Sequence, residues 1–333
     1  MNGTITSVIP RNTPTTGGNS TSANRLASQL AIFGWVSTII REGEPIPPSD
    51  LILAWNAIQV GERLIHTGVD PRRIVVVWTG TDLWEGLDRD PNVLNRLEYV
   101  GCHIVFTETA RARLLERASH WTDRIQVVSP GVEDGLFRPG QSAECHPPAI
   151  LVAGGIRTVK RTHWAIDLVD RLRLGGLGVE LWLAGPMRDV TEAQLVSDRA
   201  ATRPWVRLWG EVERSMMPLL YCQSTVVLNT SETEGVSNAL MEAMACGAAV
   251  VATRIPGNAA LIEDGVTGWL FDDAYEFETV LPVIMKDRNL RQRVGNAARK
   301  QMETQHGALR EASVYAHILG QKAAALTLNH KAG

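Results

Sequence analysis

Cysteine is scarce in this chain of 333 residues: Cys102, Cys145, Cys222 and Cys246 are scattered, and no two form a Cys-x-x-Cys pair. They outline neither a disulfide framework nor a zinc site, and free buried thiols are the expectation. The eight histidines contain no His-x-x-x-His pair, which argues against a metal site; His66, His103, His120 and His163 read as packing or surface residues. A Gly-x-Ser-x-Gly elbow is missing, and with it the sign of a serine hydrolase. Neither Gly-x-Gly-x-x-Gly nor Gly-Lys-Ser/Thr occurs, so a nicotinamide dinucleotide or a nucleoside triphosphate is not signalled. An excess of one charge is also lacking. The net charge of −3 gives no basic field to attract nucleic acid or an anionic bilayer. No apolar run approaches the ~20 residues of a membrane span. The N-terminal stretch has no basic n-region and reads as a first strand rather than a signal peptide. These absences lead to the expectation of a cytoplasmic protein without metal or membrane span.

What is present is a regular alternation of short β-branched runs with amphipathic stretches, the pattern of parallel sheets with crossover helices. In the first half, strands are expected at 5–9, 36–40, 51–54, 74–78, 103–107 and 125–128. Helices are expected near 20–33, 57–66, 91–99 and 108–118. A polar stretch with Pro and Gly, 131–148, reads as a linker. The alternation then resumes, with strands at 150–153, 179–184, 206–209, 224–228 and 248–252. The intervening helices are expected near 163–172, 191–200, 214–221 and 237–246, and residues 275–326 read as mostly helical. The length suggests two α/β domains, each with its own core.

The most informative segment spans 230–272. A Gly-containing loop, Glu234-Gly235-Val236-Ser237-Asn238, leads into a helix carrying Glu242. Unpaired backbone N–H groups at a helix start suit a phosphate or a sugar oxygen. Glu242, about one turn in, can accept hydrogen bonds from hydroxyls such as those of a ribose. Together these features describe a nucleotide-sugar site; the plainer alternative is a helix start with solvated acids.

Glu234 and Glu242 enclose seven residues, in the setting Glu-Gly…Glu-Ala-Met-Ala-Cys-Gly, followed by Ile255-Pro-Gly-Asn and Asp264-Gly-Val-Thr-Gly. This run resembles the retaining, GT-B-fold glycosyltransferases of family 4. The resemblance is strong over 149–273; in the first half it is confined to a glycine loop and to Thr79-Gly-Thr-Asp82. It implies an α/β, GT-B architecture, two Rossmann-like doubly wound domains facing a central cleft. The expected division is an acceptor-side domain at 1–135, a nucleotide-sugar domain at 148–305, and a C-terminal helix at 306–333 that crosses back to the first domain.

By resemblance, Arg157 and Lys160 bind the donor diphosphate with the amides of Gly235, Val236, Ser237 and Asn238. Glu234 contacts the sugar hydroxyls, and Glu242 the ribose. Glu234, Arg157 and Lys160 are therefore the catalytic candidates. Gly155 stands where the family usually has an arginine, a departure at the diphosphate. The order Ile156-Arg-x-Val-Lys160, with Gly18, Asn19 and Arg25, is similar to a smaller branch. That branch contains selenosugar synthases and S-glycosyltransferases of antibiotic biosynthesis, ergothioneine being one acceptor.

Gly18 falls on the donor side of the glycine loop, where Ser20 or Thr21 could cap the following helix. Asn19, Arg25, Asn56, Thr81 and Asp82 are the acceptor-side candidates, although Asp82 suits capping of a short helix at least as well. Trp209 marks the place of the nucleotide base, to stack or merely to pack. The implied activity is retaining, metal-independent transfer from a nucleoside-diphosphate sugar to a small soluble acceptor, with a thiol or selenium nucleophile in view. No cofactor beyond the sugar donor is expected, and a homodimer stays open. A sugar epimerase, a phosphorylase and a non-catalytic nucleotide-sugar sensor are the alternatives.

Overall fold

The computed structural model describes residues 3–140 and 145–332. Within the expected linker, 141–144 thus lie outside the described residues. The chain divides into two compact units, Met1–Gly131 with His306–Gly333, and Val132–Gln305.

In the first unit six parallel strands stand in the order β2-β1-β3-β4-β5-β6. They are β1 (Gly3–Ile9), β2 (Trp35–Arg41), β3 (Leu51–Trp55), β4 (Ile74–Val77), β5 (Cys102–Val105) and β6 (Ile125–Val127). The all-buried runs Leu-Ile-Leu-Ala-Trp and Ile-Val-Val-Val suit strands covered on both faces. Strand order reverses between β1 and β3, and ligands of open α/β sheets bind at such switch points.

The helix expected at 57–66 is present at 57–65, opening with the wide π-type turn Ala57–Gly61 and running on through Glu62–Ile65. Of 91–99 only Val93–Arg96 is helical, after Pro91, which removes a donor at the start of the stretch. The terminal helix Ala308–Ala332 packs on the Gly18–Leu30 helix. Arg25 is the pin: its Nε and Nη2 donate to the Glu311 carboxylate at 2.9 and 3.2 Å, with both side chains 2% exposed.

The second unit repeats the plan with β7 (Ala149–Ala153), β8 (Glu180–Ala184), β9 (Val206–Gly210), β10 (Val226–Asn229), β11 (Val250–Thr253) and β12 (Trp269–Phe271). These too are parallel, in the order β12-β11-β10-β7-β8-β9, so the switch point lies between β7 and β10. Along β7, Ala149 and Leu151 enter one core cluster, Ile150 and Val152 the other. That is the period of two expected of a strand with helices on both sides. β12 lies where no strand was expected; Trp-Leu-Phe is too short a run to announce itself.

None of the four cysteines forms a disulfide. Among the described residues no helix is long and apolar enough to cross a membrane.

Candidate functional site

The two loops at the second unit's switch point are stitched together. After β7 the chain turns at Gly154, whose φ of +124° disfavours any side chain. Gly185, after β8, comes so close that a Cβ there would lie 1.9 Å from the Gly154 carbonyl oxygen. The chain then forms a short 3-10 turn, Thr158–Lys160, and leaves it through Arg161 at a left-handed φ of +46°. A non-glycine residue adopts that conformation only when its surroundings hold it there. Arg161 Nε donates to the Thr230 carbonyl at 2.9 Å, and its guanidinium lies 4.4 Å from the Trp164 ring centroid. In return, the Thr230 hydroxyl donates to the Lys160 carbonyl at 2.9 Å, and Glu232 N–H to the Val159 carbonyl at 2.9 Å.

This stitching brings two of the sequence-predicted residues together: Lys160 Nζ donates to Glu234 Oε1 in an ion pair with side chains 18% and 11% exposed. Burial opposes ionisation of Glu234. The Lys160 charge and hydrogen bond, with those from Ser231 and Asn229, outweigh it and hold the carboxyl below the usual range. Ser231 Oγ donates to Glu234 Oε1 at 2.8 Å and Asn229 Nδ2 at 3.3 Å. Arg157, in contrast, is exposed, and its guanidinium has no partner among the described residues. Lys160 is engaged, whereas Arg157 is available to an incoming anion.

Residues that sequence reasoning did not single out support this arrangement. Asn229 Oδ1 accepts from Ser231 N–H at 3.0 Å, and the Thr253 hydroxyl donates to the Ser231 carbonyl at 2.6 Å. Asn258 Nδ2 donates to the Thr253 carbonyl at 3.0 Å and reaches Asn229 Oδ1 at 3.3 Å. Gly257 touches the acidic loop itself: a Cβ there would fall 2.4 Å from the Glu234 carbonyl oxygen and 2.6 Å from that of Gly235. The Ile255-Pro-Gly-Asn string was visible in the sequence. Its physical role, a buttress beneath Glu234–Gly235, was not.

Ser237 caps the Asn238–Ala245 helix, its Oγ accepting from Leu240 N–H at 3.5 Å. Gly235, Val236 and Asn238, partly exposed, lie in this loop and first turn. Glu242 does not join the Lys160–Glu234 pair. Its Oε1 accepts from Arg214 Nη2 at 3.2 Å and its Oε2 from the Tyr221 hydroxyl at 3.0 Å. Burial, and then the neighbouring Glu242 charge, push the Tyr221 pKa well up, so this hydroxyl keeps its proton and donates. Trp209, at the end of β9, is 44% exposed and meets Trp182 edge-on, with ring centroids 5.5 Å apart. It packs with one edge and leaves the rest open.

Three of the six first-unit candidates, Asp82, Asn56 and Arg25, are buried and hydrogen-bonded within that unit. Asp82 is buried and accepts from the backbone N–H groups of Ala57 at 2.8 Å and of Thr79 and Gly80 at 2.9 Å. It ties the end of β3 to the end of β4. Burial raises its pKa against those hydrogen bonds. Asn56, at a φ of +87°, is likewise buried; its Oδ1 accepts from Gln59 N–H at 2.8 Å and its Nδ2 donates to Thr79 Oγ1 at 3.3 Å. Arg25, also an acceptor-side candidate, has its side chain 2% exposed and donates to Glu311, as above.

The first-unit helix begins at Gly18 after Gly17 and has no side-chain cap. Neither Ser20 nor Thr21 has the capping role expected of it, because both lie inside the first turn. Gly18 is exposed, and Asn19 and Thr81 are partly exposed. His103 is a core residue, stacked on Trp121 at 4.0 Å, and burial pushes its pKa down to about 3. His163 Nδ1 pairs with the buried Glu192 at 2.8 Å. Among the described residues no group of three or more His, Cys, Asp and Glu side chains could hold a metal ion.

With this geometry in hand, the similarities to known proteins are informative. Residues 147–287 match the family profile described as Glycosyl transferases group 1. The chain is similar to glycosyltransferase 1 domain-containing protein 1 of Xenopus tropicalis, 22% identical over 91% of this chain and 94% of that protein. It is also similar to D-inositol 3-phosphate glycosyltransferase of Thermobifida fusca, 26% identical over 58% of this chain and 49% of that protein. The match thus spans about half the length of the latter relative.

Among solved structures, sucrose-phosphate synthase from Thermosynechococcus elongatus superposes with a TM-score of 0.80 at 17% identity, covering 97% of this chain and 99% of that chain. Anabaena HepE in complex with UDP and glucose gives a TM-score of 0.76 at 16% identity, covering 96% and 100%. At these identities the likeness is one of fold. The fold is that of the GT-B glycosyltransferases, and the second unit carries the group 1 sequence pattern.

Proposed function

We propose that this protein is a retaining, metal-independent glycosyltransferase that moves a sugar from a nucleoside-diphosphate donor to a small soluble acceptor. The observation that carries the reading is the Lys160–Glu234 ion pair held at the switch point of the second sheet. It sits beside the exposed cation Arg157 and the helix start at Ser237–Asn238. The bond from the anomeric carbon to the β-phosphate oxygen breaks, and its electron pair leaves on that oxygen. Arg157, the loop amides near Gly235–Asn238, and Lys160 turning from Glu234 offset the growing charge. These groups give the reason to expect no divalent ion. The acceptor forms its new bond on the face the diphosphate leaves, and a phosphate oxygen takes its proton. Glu234, kept ionised, accepts from sugar hydroxyls; Glu242 accepts from the ribose.

HepE, a relative in fold, was solved with UDP and glucose, which supports a nucleotide sugar as donor. For the acceptor we propose a small nucleophile. A thiol or selenol of low pKa is the variant that needs no strong protein base.

Lys160→Ala is expected to lower kcat by roughly 10²-fold, the scale of losing one stabiliser of developing negative charge. Glu242→Ala is expected mainly to raise the nucleotide Kd. Steady-state kinetics and calorimetric titration check both, and unchanged rate and affinity would remove these roles. Activity that survives EDTA, and a product anomer identical to the donor's by NMR, are the results expected for the metal-independent, retaining course.

A further inference from the structure

Arg214 is the hub of a charged cluster that the roles above leave unused. It lies in the 3-10 turn Arg214–Met216, just before the helix Met217–Gln223 that carries Tyr221. Its Nη2 donates to Glu242 Oε1 at 3.2 Å, and its Nη1 forms an ion pair with Glu133. Its guanidinium carbon lies 4.7 Å from the Phe137 ring centroid. Three contacts from two segments, the turn at Glu133–Phe137 and the helix carrying Glu242, therefore fix one planar cation, and a guanidinium, unlike an ammonium, can satisfy two carboxylates and an aromatic face together. Glu242 itself is only 13% exposed. With Arg214 donating to one oxygen and Tyr221 to the other, the carboxylate plane cannot rotate freely.

We infer that Arg214 is a positioning residue: it sets the orientation of the Glu242 carboxylate for a vicinal diol, and Glu133 in turn holds Arg214. The inference rests on the reading of Glu242 as the ribose contact. Its consequence concerns discrimination. A carboxylate held in one plane distinguishes a ribose from a 2′-deoxyribose, because the lost hydroxyl removes a hydrogen bond that the fixed carboxylate cannot turn elsewhere to replace. A loosely held carboxylate turns to solvent and distinguishes less.

The test is calorimetric titration of the full chain with UDP, GDP and ADP, each beside its 2′-deoxy counterpart. For the nucleotide that binds, the wild type is expected to prefer the ribose form by roughly tenfold or more, the scale of one hydrogen bond to a charged group. Arg214→Ala is expected to bring that ratio to within about twofold and to raise KM more than it lowers kcat. Arg214→Lys and Glu133→Gln, which retain a cation at this position, are expected to fall between. They decide the matter if the alanine variant does not fold.

A ratio in the variants equal to that of the wild type would overturn the inference and leave the reading of Glu242 intact. A wild type that does not discriminate, or that binds none of the three nucleotides, would overturn the reading of Glu242 itself.

Discussion

Lys160 and Glu234 form a pair whose desolvation is offset only while both charges are present. Their side chains are 18% and 11% exposed, and removing one partner from so enclosed a pair leaves the other buried and uncompensated. Glu234→Gln is accordingly expected to destabilise the fold by about 3 kcal/mol at neutral pH. The sign of its pH dependence follows from the carboxyl being held below its usual range. The stabilisation is complete above the ordinary carboxylate pKa and is lost as pH falls through that value toward the lowered one. Urea unfolding of wild type and variant should therefore show a gap at pH 7 that narrows at pH 3. A gap of the same size at both pH values would mean that the pair contributes nothing to stability through ionisation.

Among the elements, the acidic loop owes its shape to its neighbours more than to its own sequence. The Pro256–Ala259 turn presses on it where Gly257 has no side chain. Gly257→Ala would drive a methyl group into the Glu234 and Gly235 carbonyls, a backbone contact that no rotamer relieves. It should cost about 1–3 kcal/mol, lower the melting temperature and weaken nucleotide binding in the same variant. A melt and a titration both matching the wild type would show that the buttress is dispensable.

The sheets, the main crossover helices and the Glu234–Glu242 loop were legible in the sequence because each is a local pattern: buried β-branched runs, amphipathic periods, an acid before a capped helix. Partnerships across long separations were not. That Arg25 meets Glu311, that Asp82 serves the amide of Ala57, and that Glu242 leans on Arg214 depend on which elements become neighbours. No spacing along the chain encodes this. The three-residue strand β12 was missed for a different reason, since it is shorter than the period that would reveal it.

At the scale of the molecule, two parallel sheets each reverse their strand order once, and most of the candidate residues gather beside those reversals. In the second unit they make a charged site: an exposed Arg157, an engaged Lys160–Glu234 pair, and Glu242 held by Arg214 and Tyr221. In the first unit the corresponding positions, Asn56 and Asp82, are buried scaffold, leaving Gly18, Asn19 and Thr81 accessible at that end of the sheet. On the proposed reading, the charge that meets the donor lies in the second unit, and the first offers shaped backbone.

The central claim, that this arrangement transfers a sugar from a nucleotide, is tested most directly by mass spectrometry of the purified protein. It would be incubated with pooled nucleotide sugars, with and without thiol and alcohol acceptors. The account predicts nucleoside diphosphate released in step with a product heavier than its acceptor by one glycosyl residue, and neither without acceptor. Intact donors with every acceptor, or an isomerised sugar still attached to its nucleotide, would contradict it.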